Sequence, residues 1–117
     1  MGWPHTGARM ITLEQVELAL LKLSETDEEY ARAKANIDYI KHQAKVVYET
    51  IYLTSNVSGV AGKKAECEVS KDYGDAMRRA RDAVYDFEIC RAKRLGWQLQ
   101  IDVWRSINAA RSRGIVV

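Results

Sequence analysis

Proline occurs once, at Pro4, and glycine only seven times in 117 residues. That excludes a collagen-like, proline-rich or loop-dominated chain. No apolar run approaches the roughly 18 residues that would span a bilayer, so no membrane partner is expected. Cysteine appears twice, as Cys67 and Cys90, and histidine twice, as His5 and His42. Without a CxxC or a histidine at ligand spacing, no metal site and no cofactor are expected, and the thiols read as free and buried. No charged leader followed by an apolar core opens the chain, which leaves a reducing cytoplasm as the expected location. Neither sign of charge dominates, with 18 basic against 16 acidic residues for a formal +2, so net charge alone selects no partner. What remains, 47% hydrophobic and 29% charged, is the composition of one soluble domain.

Residues 1–11 show no periodicity and read as a flexible tail, followed by a single helical domain over 12–117. Thr12-Leu-Glu-Gln15 has the capping-box form, in which each side chain satisfies an amide of the other, and predicts a short helix over about 12–23. That helix is expected to bury Leu13, Val16, Leu20 and Leu23, which recur at steps of three and four. Ser24-Glu-Thr26 interrupts it, and Thr26-Asp-Glu-Glu29 repeats the capping box, placing acids where the helix dipole favours them. A second helix is predicted over about 27–54, a turn over the small-residue stretch Ser55–Gly62, and a third helix over about 63–110. That last segment would be roughly 70 Å long against roughly 40 Å for its neighbour. Ser70 and Asp72 are candidate caps for a break near residue 70, and Gly74 and Gly96 are weak points.

In the second helix Tyr30, Ala33, Ile37, Ile40, Ala44, Val47 and Ile51 recur at alternating steps of three and four. From Tyr73 the third helix repeats the pattern through Ala76, Ala80, Ala83, Phe87, Cys90, Arg94, Trp97, Ile101, Trp104 and Asn108. A period of 3.5 specifies coiled-coil-like packing. The expected fold is therefore all-α, a long helical hairpin with a short N-terminal helix. Tyr39, Val46, Tyr48 and Tyr52 on one helix, and Val84, Ile89, Leu95, Leu99 and Val103 on the other, lie beside the seam. A lone hairpin would leave them wet, so a homo-oligomer is expected. The candidate oligomer seam is Ile37, Ile40, Val47, Ile51, Phe87, Arg94, Trp97, Ile101 and Trp104. Arg94 and Asn108 are polar seam positions that either fix register or face solvent near a helix end.

Acidic residues carry basic neighbours three or four positions away, as in Asp75 with Arg78 and Glu88 with Arg91, the pattern of a solvated helix face. No serine, cysteine or histidine constellation surrounds them, so the chain does not read as an enzyme. Charge placement says more than the total. Residues 12–29 hold six acids against Lys22 alone, whereas 89–117 hold six basic residues against Asp102 alone. Such polarity serves self-association, or a basic surface that tracks a nucleic-acid backbone while tryptophans or tyrosines stack unpaired bases. The candidate phosphate contacts are Lys93, Arg105, Arg111 and Arg113, the stripe Lys34, Lys41 and Lys45, and the turn residues Lys63 and Lys64. The competing readings are a core role for Trp97 and Trp104, and arginines that complement the dipole of the last helical turn.

The segment TLEQVELALLKLSETDEEYARAKANIDYIK, the small-residue turn, and the ending IDVWRSINAARSRG resemble the UvsY-type recombination mediators of T-even bacteriophages. The resemblance extends over residues 11–114 in architecture and is specific by letter only in the ending, at Trp104, Ser106, Ala109, Ala110, Arg111, Ser112 and Arg113. It implies a homo-oligomeric helical protein of the host cytoplasm that binds single-stranded DNA and helps a RecA-type recombinase displace single-strand-binding protein. Around the turn the chain departs from that pattern, with only Lys63 and Lys64 available. The expectation is a phage-type accessory factor in DNA recombination or replication. The alternative is a helical structural or adaptor protein, such as a phage assembly factor or a host-enzyme inhibitor, that binds another protein and no DNA.

Overall fold

The computed structural model describes residues 11–114. The fold is all-α: α1 spans Leu13–Thr54, α2 Val60–Val69 and α3 Lys71–Ser112, with no strand among the described residues. The tail expected over 1–11 lies outside the described residues except for Ile11.

The capping box at the start of α1 forms as its letters imply. The Thr12 amide donates to Gln15 Oε1 at 2.9 Å, and the Gln15 amide donates to Thr12 Oγ1 at 3.2 Å. The interruption expected at Ser24–Thr26 is absent, and the short N-terminal helix and its longer successor are one helix of 42 residues. Thr26 is an interior residue whose hydroxyl donates to the Lys22 carbonyl at 2.7 Å. Back-bonding of this kind lets a threonine sit inside a helix instead of capping one.

The reversal after α1 uses two glycines for different reasons. Gly59 has φ of 85°, a conformation that side chains disfavour, and it immediately precedes α2. Gly62 makes room for Val57, since a Cβ there would come within 2.6 Å of Val57 Cγ1. Ser55 joins the turn to α2 by bonding the Glu66 carboxylate and accepting from the Val57 amide at 3.1 Å.

The expected 63–110 helix is broken, at Ser70. Its φ of −63° and ψ of 136° leave the helical region, and its amide donates to Cys67 O at 3.2 Å. The same residue starts α3, where its hydroxyl accepts from the Tyr73 amide and its carbonyl from the Gly74 amide. Asp72 in the first turn complements the dipole.

The chain packs as two compact units, each traversed by α1 and α3. In the first, formed around 11–28 and 91–114, Val16, Ala19 and Ile101 are buried, with Ile11, Leu23, Trp97 and Trp104 against them, whereas Leu13 and Leu20, expected in the core, are exposed because Ala19 occupies the buried face beside Val16. In the second, Glu29–Cys90, the buried residues are small: Ala44, Cys67, Ala76, Ala80, Ala83 and Cys90. Tyr30 stacks on Phe87 with centroids 5.2 Å apart, and Tyr48 meets Tyr73 edge-on at 5.1 Å, so α1 and α3 run antiparallel there. Both thiols are free.

Candidate nucleic-acid interface

Lys34, Lys41 and Lys45 are seven and four residues apart on α1, within about 40° of one another around the helix, and all three are exposed. This stripe flanks the α1 seam by roughly a quarter turn. Across from it, α3 contributes Met77 and Arg81, which the sequence did not single out, beside Ala80 and Val84, which it did. Lys41 and Ala44 line a groove with Met77, Ala80, Arg81 and Val84. A second depression is lined by Lys41, Ala44, Lys45, Tyr48, Glu49, Tyr73 and Met77. Lys41, Ala44 and Met77 belong to both, so the two depressions adjoin, and together they are called the groove below. Its floor is the buried Ala44 and Ala80, the exposed Met77 stands over them, its charged lining is Lys41, Lys45, Arg81 and Glu49, and the Tyr48–Tyr73 pair stands at one end.

The rim charges are moderated by neighbours. Glu49 lies 4.0 Å from Lys45, with both side chains largely exposed, so the pair is screened and weak. Arg81 is 3.7 Å from Asp82 on the same terms. Burial raises the Tyr48 phenol above its ordinary pKa, with the neighbouring Cys67 adding to the effect. It therefore remains neutral beside the lysines.

The other basic candidates are not gathered into this groove. Lys63 lies 5.6 Å from the centroid of the Tyr52 ring and is half-buried, while Lys64 is exposed. Lys93, Arg105, Arg111 and Arg113 belong to the first unit and are exposed. Lys93 and Arg111, five helical turns apart, share a line on α3, but Arg105 lies about 120° around from them. Arg113 follows the last helical residue, with its amide donating to Ala109 O and Ala110 O. The basic C-terminal stretch is thus spread around the helix.

Trp97 and Trp104 pack on the Val16, Ala19 and Ile101 core, which leaves neither as an open stacking platform. The residues read as an oligomer seam are largely engaged within one chain. Phe87 stacks on Tyr30; Trp97, Ile101 and Trp104 close the first unit; Ile37, Ile40, Val47 and Ile51 are half-buried. Arg94 crosses from α3 to α1 of the same chain, donating to Leu23 O at 2.9 Å, Thr26 Oγ1 at 2.7 Å and Asp27 Oδ1 at 2.6 Å. Asn108 turns a buried Nδ2 toward no partner.

Met77 and Arg81 flank the α3 seam, as Val84 does and as the lysine stripe flanks the α1 seam, and only the antiparallel pairing of the two helices brings the flanks together. Among the described residues no three His, Cys, Asp or Glu side chains come together as a metal site, and no helix is long and apolar enough to cross a membrane. No protein-family model, curated protein or solved structure matches the chain.

Proposed function

We propose that the protein is a single-stranded DNA-binding accessory factor of recombination or replication, of the phage mediator type, acting as a helical homo-oligomer in the host cytoplasm. The observation that carries this reading is the groove whose rim holds Lys41, Lys45 and Arg81 over an apolar floor. Such a groove suits a flexible polyanion: cations neutralise successive phosphates and release counterions, while Tyr48 and Met77 offer apolar contact to unpaired bases. Two or three phosphate contacts per chain are weak, and an oligomer multiplies them through effective concentration. A RecA-type recombinase or a single-strand-binding protein is the protein partner the resemblance implies. No chemical step is required of the chain.

The test is anisotropy of a labelled single-stranded oligonucleotide at several salt concentrations, with a duplex competitor. The expected result is salt-sensitive binding that prefers the single strand, and a logarithmic salt slope that shrinks by about 0.7 for each cation removed in Lys41→Gln, Lys45→Gln and Arg81→Gln. Absence of binding at low salt rejects the reading.

A second reading, a protein-binding adaptor, has its own support. Leu13, Leu18, Leu20 and Leu21 at the start of α1 are each more than half exposed among acidic neighbours. Exposed leucines in that number suit a partner helix. Retention of a partner protein by a chain that ignores DNA would favour it.

A further inference from the structure

The face of α3 turned away from α1 carries a second heptad seam. Shifting each position of the α1-facing seam by two residues, about 200° around the helix, gives a series from Tyr85 to Ala110 at alternating steps of four and three. It contains no charged residue, in a chain that is 29% charged. The same shift on α1 meets Arg32, His42 and Glu49, as a solvent face should. The large members on α3 are exposed: Tyr85 by 65%, Leu99 by 62%, Ile89 by 40% and Val103 by 38%. A charge-free heptad seam on a continuous helix specifies a helical partner.

We infer that this partner is a second copy of the chain, packed α3 against α3 in antiparallel orientation about a two-fold axis near Trp97 and Gln98. In that register Gly96 faces Leu99 of the second copy, Ala92 faces Val103, Ile89 faces Ser106 and Tyr85 faces Ala110. Every layer sets a large side chain against a small one, which is what close helix packing needs. A parallel pair would set Gly96 on Gly96 and Ala92 on Ala92, leaving voids. The Gly96 position is open, with nothing within 4 Å of where its Cβ would stand, so a second backbone can approach it. Being isologous, the contact closes on itself and forms a dimer. The inference deepens the oligomeric part of the proposed function and rests on that part alone, independent of DNA binding.

Light scattering at micromolar concentration should give twice the 13.3 kDa chain mass. Leu99→Glu, on a side chain exposed in the single chain, should halve that mass with helical circular dichroism unchanged. The double variant Ala92→Cys with Val103→Cys should give a disulfide-linked dimer on mild oxidation. Each single cysteine variant, and the wild type with its buried thiols, should give none. A wild-type mass of one chain, a Leu99→Glu mass still twofold, or a covalent dimer from Ala92→Cys alone overturns the inference. The Lys41→Gln variant, weakened for DNA, should keep the doubled mass, which separates failure of the groove from failure of the seam.

Discussion

Arg94 on α3 reaches Asp27 on α1 at 2.6 Å while the other end of its guanidinium caps the Leu23 carbonyl and the Thr26 hydroxyl. An arginine on a heptad seam is thereby turned into a clamp between two helices of one chain. Arg94→Ala should destabilise the fold by about 2 kcal/mol, the usual cost of losing charge-assisted bonds from a mostly buried group. Asp27 is largely exposed, so Asp27→Asn should cost less than about 1 kcal/mol. Urea denaturation of both variants checks the order, and equal losses would mean that the ion pair, not the bonds to Leu23 and Thr26, holds the contact.

Asn108 presents the opposite case, a buried amide nitrogen without a partner. Asn108→Leu should raise stability by about 1 kcal/mol, because it removes an unsatisfied donor and keeps the branched heavy-atom outline. A lower thermal midpoint in Asn108→Leu would show that the amide is satisfied in solution.

Cys67 is fully buried, its thiol donating to Tyr48 O at 3.4 Å, and burial pushes its pKa above the ordinary thiol value, with Glu66 contributing. Little thiolate is then present near neutrality. A thiol-alkylating reagent at mildly basic pH should leave Cys67 unmodified in the native protein and label it in urea. Mass spectrometry of the two samples decides, and native labelling at the unfolded rate would contradict the burial.

The Lys71 ammonium, by hydrogen-bonding Asp75, holds its carboxyl below the ordinary range, with Arg78 adding to the effect. A lowered folded pKa gives stability that is fully present above the unfolded value, about 3.9, and lost as pH falls through the folded value. Asp75→Asn should therefore lower stability at neutral pH by a small amount, given its exposed partners. The difference from wild type should vanish in strong acid. Thermal melts at several pH values test it; a difference independent of pH would assign the effect to packing.

Much of the fold was legible because its signals are local. The capping box at Thr12 and Gln15 and the alternating steps through Ala44, Ala76, Ala80 and Ala83 need only neighbouring letters. The misplaced helix end at Ser24–Thr26 shows the limit. Thr26 has a capping residue's chemistry, but it bonds the Lys22 carbonyl, and Arg94, distant in sequence, supplies a donor to its hydroxyl. The break at Ser70 was visible as a candidate cap, though not as the choice over Gly74 or Gly96. Of the basic candidates, the α1 stripe was readable from spacing. Its counterpart Arg81 was not, because which flanks meet depends on the pairing of two helices.

The alanines between α1 and α3 give the second unit an unusual tolerance profile. Ala44, Ala76, Ala80 and Ala83 give up no rotamer freedom on burial, and they cannot be truncated further except to glycine. Nearly every substitution there adds volume, so random mutation would act as a wedge between the helices and not as a cavity. Because Ala44 and Ala80 also floor the Lys41 groove, widening the helix spacing would reshape that surface at the same moment. Tight packing and groove shape thus depend on the same letters.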